Sequence, residues 1–139
     1  MTASTADQLA IQALVTRYNR AVDRGDVETW VACFTADGVF DGIPGRFEGA
    51  DALRGFAEEL AHGPAGEPFR PMRHWTNNFI IEVDGDTARM RSDHMLFRQR
   101  GGTGELVVLA EYRDRLLRDA AGDWRFAERV VLPLGKQGV

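Results

Sequence analysis

The stretch Ile11–Asp26, IQALVTRYNRAVDRGD, decides how the rest of the chain is arranged. Gly25 is placed to end a helix there, and Asp26 is placed to cap the helix that follows. Tyr18 puts a hydroxyl on the apolar face and Asp23 puts a carboxylate at the helix end, and both groups need polar partners near the core. We therefore predict that the remaining chain forms a cone around this helix, with Tyr18 and Asp23 facing into it. The apolar residues recur every three or four positions, as on one face of an amphipathic helix: Ile11, Leu14, Val15, Tyr18 and Val22.

Helical periodicity accounts for most of the first half of the chain. Glycine and proline separate its segments, and the proline-rich residues 63–71 predict an irregular connection that is a candidate pocket lid. Cys33, the one cysteine, lies in an apolar setting that predicts a small buried side chain, and it cannot form an internal disulfide. We predict three helices and a short strand: helices over residues 5–24, with Ser4 or Thr5 as N-cap, 27–35 and 50–62, and a strand over Val39–Asp41.

The period of the pattern changes from helix to strand after residue 72. Aromatic and β-branched residues become frequent, and Asp84-Gly85 is a typical hairpin turn. Helices followed by hairpin-linked strands indicate an α+β fold. We expect one domain over residues 1–139, with a cone-shaped, curved antiparallel sheet wrapped by three N-terminal helices. The predicted strands, about four in number, cover residues 73–83, 86–99, 105–117 and 123–132.

Alternation along the strands assigns side chains to the two faces of the sheet. It places His74 and Asn78 on one face of the first strand, and His94 and Leu96 on one face of the second. Apolar residues occur on both faces of the first three strands, which a sheet covered on one side alone does not require. We therefore predict a homodimer that packs sheet against sheet.

Composition argues against several classes of function. The net charge is −4 and no basic run is present, so nucleic acid is not expected as a partner. No apolar run is long enough to span a bilayer, and the first residues lack the features of a signal peptide, so we expect a cytoplasmic protein without membrane contacts. Nucleotide-binding loops, nucleophile elbows and zinc motifs are absent from the sequence, so we expect no cofactor and no metal site.

Acid–base chemistry is the reaction type for which the sequence offers candidates. His74 is the leading one, because histidine titrates near neutral pH. Asp23 is poorly placed at the negative end of a helix dipole and needs a partner such as a histidine. These two residues and Tyr18 also have plain structural interpretations, as a strand-end histidine, a helix-terminal carboxylate and a core tyrosine. The further candidates for the pocket are His94, Asp41, Trp30, Phe56, Asn78, Tyr112 and Arg129.

Four segments carry a resemblance to a known family: RYNRAVDRGDVETWVACFTADGVFDG, GRFEGADALRGF, RHWTNNFIIEVDGDTAR and EYRDRLLRDAAGDWRFAERVV. They resemble the SnoaL-like branch of the nuclear transport factor two-like superfamily over nearly the whole chain. The resemblance implies a curved antiparallel sheet and three helices around a hydrophobic pocket, in a fold that is commonly dimeric.

The resemblance is closest, residue by residue, to the dehydratases of this superfamily. Asp23 falls on their pocket aspartate, His74 on its histidine partner, and Tyr18 on a tyrosine that also occurs in the isomerases. The isomerase base falls on Gly42, next to Asp41. The resemblance implies a cofactor-independent dehydratase or isomerase, of C–O lyase type, acting on a polycyclic or aromatic hydroxy-carbonyl compound such as a polyketide or steroid. The alternatives are a polyketide cyclase or epoxide hydrolase in the same pocket, or a non-catalytic ligand-binding or partner subunit.

Overall fold

A computed structural model describes residues 3–134 as helices packed against one curved, six-stranded sheet. The α+β class and the three predicted helices are therefore confirmed. No helix of residues 3–134 combines the length and the apolar character needed to cross a membrane. The elements in chain order are α1 (Thr5–Arg24), α2 (Val27–Ala32), β1 (Phe34–Gly42), β2 (Gly45–Glu48), α3 (Ala50–His62), a 3₁₀ helix (Pro64–Phe69), β3 (Met72–Asp84), β4 (Thr87–Arg100), β5 (Thr103–Arg118) and β6 (Trp124–Pro133).

The ends of α1 and the start of α2 lie at the capping residues that the sequence predicted. Ser4 caps α1, because its hydroxyl accepts a hydrogen bond of 3.1 Å from the Asp7 amide. Gly25 ends α1 in the left-handed conformation, with φ 74°, which glycine adopts without strain. Asp26 then caps α2 by accepting from the Thr29 amide at 3.2 Å. These caps set the direction in which the chain leaves α1, and so hold the end that carries Asp23.

The sheet is mixed rather than wholly antiparallel, and it has six strands rather than about four. The strand order is β2-β1-β6-β5-β4-β3, and β1 runs parallel to β6. The predicted helix over 27–35 ends at Ala32, and the chain continues into β1 from Phe34. Thr35–Gly38 has few good strand formers, so the first half of β1 carries no strand signal of its own. The strand begins where Phe34 pairs with Phe126 of β6, distant in sequence, and the register shifts before pairing resumes at Val39.

A bulge in β3 reverses the side-chain faces that strict alternation predicts. The register with β4 shifts between Asn77 and Ile80, and Asn78 has φ 59°. Asparagine tolerates this left-handed conformation better than most residues. Beyond the bulge, Ile80 is 57% exposed, whereas Val83 is buried in the core. The prediction that Asn78 shares the inner face with His74 is therefore wrong.

The core lies between α1, α2, α3 and the inner face of the sheet. Trp30 and Phe34 have ring centroids 4.9 Å apart, and Tyr18 lies edge-on to Phe126 at 5.5 Å. Such aromatic contacts add to the stabilisation that burial of the rings provides. Tyr18 and Trp30 belong to the core cluster and also line a cavity next to it.

Candidate functional site

A cavity of about 440 Å³ opens between the helices and the inner face of the sheet. Most of its wall is apolar, and its polar side chains are two tyrosines and two histidines. Phe69 of the 3₁₀ helix forms part of the wall, so the proline-rich connection does border the cavity. The lining residues are Tyr18, Val22, Trp30, Phe40, Ile43, Pro44, Phe56, Leu60, Phe69, His74, His94, Leu96, Val107, Val108, Tyr112 and Val131.

Asp23 and His74 form a hydrogen-bonded pair at the wall of the cavity. The Asp23 Oδ1 lies 2.6 Å from His74 Nδ1, and the two side chains are only 6% and 8% exposed. The Asp23 carboxylate also accepts from the His74 main-chain N–H, at 3.1 and 3.0 Å. A carboxylate can only accept hydrogen bonds, so the proton of a neutral His74 ring resides on Nδ1. The other ring nitrogen, Nε2, then keeps its lone pair and can act as a base.

The partners of Asp23 explain why a carboxylate is stable at the end of α1. A negative charge near a helix C-terminus costs on the order of 0.3–1 kcal/mol. Each hydrogen bond to a charged group contributes about 1.5–3 kcal/mol. The contacts to the His74 ring and amide therefore outweigh the helix dipole. His74 is held in one orientation from both its ring and its main chain.

His74, His94 and Tyr112 form a stacked column on three adjacent strands. The rings of His74 and His94 are 5.3 Å apart at 16°, and those of His94 and Tyr112 are 4.5 Å apart at 25°. Burial lowers the pKa of His94 to about 2, and the charges of His74 and Arg129 act in the same direction. His94 is therefore neutral at physiological pH, and His74 is the ring available for proton transfer.

The neutral state of His94 predicts a loss of stability in mild acid. In the unfolded chain His94 takes up a proton below about pH 6.5, whereas in the folded chain it does so only near pH 2. Acidification therefore favours unfolding, by about 2 kcal/mol between pH 8 and pH 5. We expect His94→Phe, which keeps an aromatic ring in the column, to remove this dependence of the free energy of unfolding on pH, as measured by urea unfolding at several pH values. An equal slope in both proteins would contradict a neutral, buried His94.

Comparison with the variant is needed because Asp114 titrates in the opposite sense. Burial raises the pKa of Asp114 to about 6, against the effect of Arg129. The folded chain then binds this proton more readily than the unfolded chain, and acidification favours folding. Both proteins retain Asp114, so the difference between their slopes isolates His94.

Beneath the cavity lies a buried ion pair between β5 and β6. Arg129 Nε and Nη2 donate to the Asp114 carboxylate at 3.0 and 3.3 Å, and both side chains are fully buried. The carboxylate raises the pKa of Arg129 against the effect of burial, so the guanidinium is charged. Its Cζ lies 3.5 Å from the ring centroid of Tyr112 and 4.5 Å from that of Tyr18.

The structure brings most, but not all, of the predicted pocket residues together. His94, Trp30, Phe56 and Tyr112 line the cavity with Tyr18 and His74, and Asp23 lies behind His74. Three predicted pocket residues do not line it: Asp41, Asn78 and Arg129.

The position of each of these three residues outside the cavity has a physical cause. Asp41 follows Phe40, which faces the cavity, so its side chain points to the other face, where Arg46 is its cross-strand neighbour. Asn78 is turned outward by the bulge and donates to Asp93 at 2.8 Å. Arg129 donates to the Asp114 carboxylate of the same chain and does not line the cavity.

The sequence analysis did not identify Asp114 as part of the site. A charged residue among apolar neighbours was the available signal, since a buried carboxylate requires a cation. The register sets Asp114 directly opposite Arg129. In the part of the chain that the structure describes, no group of three His, Cys, Asp or Glu side chains is placed to hold a metal ion.

Comparison with known proteins identifies the family. The family model described as a SnoaL-like domain matches residues 3–130. The chain belongs to the SnoaL-like domain family. The resemblance found in the sequence is thereby confirmed, together with the nuclear transport factor two-like fold.

Similar proteins match this chain over most of their length. Rv2910c of Mycobacterium tuberculosis is 30% identical over 92% of this chain and 86% of its own. The structure of Rv3472 from M. tuberculosis, whose function is unknown, is 33% identical with a TM-score of 0.82, over 92% of this chain and 72% of that one. An NTF2-like protein with a cystatin-like fold from Novosphingobium aromaticivorans is 25% identical with a TM-score of 0.82, over 94% and 83%.

Proposed function

We propose that this SnoaL-like protein is a cofactor-independent, acid–base enzyme that dehydrates or isomerises an apolar hydroxy-carbonyl compound. The observation that carries the proposal is the Asp23–His74 pair at the wall of an apolar cavity. An oriented imidazole with one free nitrogen, next to bound substrate, is what proton abstraction requires. Within residues 3–134, no protein group hydrogen-bonds Nε2 of His74, so the lone pair is available.

The proposed dehydration begins with proton transfer from carbon to His74. Nε2 takes a proton from the carbon α to a carbonyl, and the electrons of that C–H bond form the new C=C bond. The C–O bond to the β-hydroxyl breaks, and the protonated His74 returns its proton to that oxygen, which leaves as water. Asp23 stabilises the imidazolium that exists between these transfers, and Tyr18 donates a hydrogen bond to the carbonyl oxygen as it gains negative charge.

Isomerisation uses the same groups without loss of water. His74 removes the α-proton and returns it to the γ-carbon of the extended enolate. The cavity volume of about 440 Å³ lies in the range of small-molecule sites. Its apolar walls favour fused-ring or aromatic substrates, such as polyketide or steroid fragments, because burial of their carbon surface drives binding.

The step common to these reactions can be measured with simple ketones. We expect the protein to accelerate exchange of the C1 protons of 2-tetralone with D₂O, and to convert 3-hydroxy-1-tetralone to 1-naphthol and water. NMR follows the first reaction and absorbance the second. His74→Gln should reduce both to the uncatalysed rate, whereas His62→Gln, at an exposed histidine outside the cavity, should not.

The outcomes separate the alternative functions. Exchange without dehydration supports an isomerase or a polyketide cyclase, because both begin with the enolate. If 2-tetralone binds but exchanges at the uncatalysed rate, the acid–base proposal is wrong, and a non-catalytic ligand-binding subunit is the better account. Hydrolysis of an epoxide without α-proton exchange would instead support an epoxide hydrolase.

We also propose that two copies of the chain associate through the outer face of the sheet. Trp75, Met95 and Leu109 stand in one row across β3, β4 and β5. Trp75 is 60% exposed and Leu109 45% exposed, and Trp75 packs edge-on against Phe97 at 5.4 Å. A contiguous exposed apolar patch of this kind is typical of an interface.

The association has a direct test in solution. Sedimentation should give a dimer for the native protein and a monomer for Leu109→Glu, because the partner sheet would have to bury the new charge. Leu9→Glu is the matched control, since Leu9 is an exposed leucine on α1, away from the sheet face. A native protein that sediments as a monomer would show the proposal to be wrong.

A further inference from the structure

Arg129 is enclosed by aromatic rings, and not all of its hydrogen-bond donors have an acceptor. Its Cζ lies 3.5, 4.4 and 4.5 Å from the ring centroids of Tyr112, Phe126 and Tyr18. Asp114 accepts from Nε and Nη2, which leaves the third nitrogen, Nη1, buried without a hydrogen bond to any described residue. A buried donor without an acceptor is costly, so its surroundings require an explanation.

A second buried donor also lies close to Tyr18. Trp30 Nε1 is also buried and forms no hydrogen bond of good geometry within residues 3–134. The rings of Tyr18 and Trp30 are 5.6 Å apart, and both residues line the cavity. Tyr18 thus lies next to both an indole N–H from α2 and a guanidinium from β6, and both contribute positive potential near its ring.

We propose that Arg129 is a positioning residue that acts through Tyr18, making its hydroxyl a strong hydrogen-bond donor to a negatively charged oxygen in the cavity. The guanidinium has no contact with the cavity itself, so its effect on a ligand is transmitted by the tyrosine ring and hydroxyl. The identity of the oxygen rests on the proposed function: it is the enolate oxygen formed when His74 removes the α-proton.

The charges that face Tyr18 come from two strands and act in opposite directions. Burial raises the pKa of Tyr18; Arg129 on β6 and Trp30 lower it, and Asp114 on β5 raises it. Tyr112 on β5 also interacts with the Tyr18 hydroxyl. His74 and His94 face the same cavity from β3 and β4. Arg129 acts more strongly than Asp114, so the ion pair leaves a net positive effect at Tyr18.

The two partners of the ion pair should therefore shift Tyr18 in opposite directions. Asp114→Asn keeps the cation and an acceptor for it, and should lower the pKa of Tyr18. Arg129→Met combined with Asp114→Leu removes both charges and should raise it. Each shift is expected to be about one unit or more, the usual effect of a close buried charge. A purely structural role predicts no such reversal of sign.

The experiment is direct because the chain has two tyrosines, Tyr18 and Tyr112. Incorporation of 3,5-difluorotyrosine, whose phenol is more acidic than that of tyrosine, brings ionisation into the pH range of the folded protein. ¹⁹F NMR then gives two titrating signals, which Tyr18→Phe and Tyr112→Phe assign. Arg129→Lys, which retains the positive charge, should leave the Tyr18 titration nearly unchanged.

The outcome is independent of any catalytic activity. Unchanged titration of Tyr18 in Asp114→Asn, or shifts of the same sign in both variants, would overturn the role of Arg129 and leave the Asp23–His74 proposal standing. If the double variant does not fold, Asp114→Asn alone still decides the question. Conversely, the expected shifts combined with no α-proton exchange would support the tuned tyrosine and refute the enzyme.

Discussion

Replacement of Asp23 by asparagine is expected to reduce α-proton exchange on the order of 10³-fold without unfolding the protein. In the native pair, Asp23 accepts from both the ring Nδ1 and the main-chain N–H of His74. The introduced amide can still accept from the main chain through its oxygen, but its NH₂ group then faces Nδ1. An NH₂ group is a donor, so it requires a lone pair on Nδ1 and moves the ring proton to Nε2.

The loss follows from this change of tautomer. With the proton on Nε2, the nitrogen that faces the cavity has no lone pair to accept the substrate proton. The imidazolium also loses the negative charge that stabilises it. The measurement is C1 exchange of 2-tetralone by NMR in the native protein, Asp23→Asn and His74→Gln, with urea unfolding as the stability control.

Asp23→Asn and His74→Gln should lose exchange activity to a similar extent, because the carboxylate and the imidazole act as one unit. Ligand binding should persist in both, since the apolar walls of the cavity are unaltered. If Asp23→Asn retained native exchange, the pair would be a structural contact between α1 and β3, and a non-catalytic role would follow.

Arg129→Met is expected to lower the free energy of unfolding by about 3–5 kcal/mol. The variant leaves Asp114 fully buried without its cation, and it removes the guanidinium that lies 3.5 Å above Tyr112. Urea unfolding at pH 8 measures the effect. Arg129→Met combined with Asp114→Leu should recover most of the loss, because a buried ion pair contributes little more than well-packed apolar side chains.

The loss caused by Arg129→Met should also depend on pH, in a direction that identifies its cause. The pKa of Asp114, already raised to about 6 by burial, rises further when the cation is removed. A carboxyl with a higher pKa in the folded than in the unfolded chain binds its proton on folding, so acidification favours the folded state. The deficit relative to the native protein should shrink between pH 8 and pH 5. A deficit that is equal at both values would assign the loss to packing instead of to the unpaired carboxylate.

Local signals predicted the helices and the hairpin-linked strands because they act over a few residues. The period of the apolar residues on α1 and the caps at Ser4, Gly25 and Asp26 all lie within one or two helical turns of the structure that they determine. Alternation on β4 was equally informative, because that strand pairs on both sides with little irregularity around His94.

The candidate site was predictable in part, because its residues could be named from the sequence but their positions relative to one another could not. Resemblance to the dehydratases pointed to Asp23, His74 and Tyr18, and the structure joins Asp23 to His74, which are 51 positions apart in the sequence. The bulge at Asn78 was not predicted, because one left-handed residue reverses a face without changing the composition of the strand. Asp41 was misplaced for a related reason, since the face of β1 depends on its pairing with β2 and β6.

Local sequence patterns specified the α+β class, the order of the helices and long strands, and the chemical groups available for proton transfer. Contacts between distant segments establish that β1 pairs in parallel with β6, that the helices and the curved sheet border a cavity, and that Arg129 is paired with Asp114 instead of with a ligand. Propensity and periodicity are properties of neighbouring residues. Strand pairing, cavity volume and charge neutralisation arise from contacts between residues that are distant in sequence, and they form only when the whole chain packs.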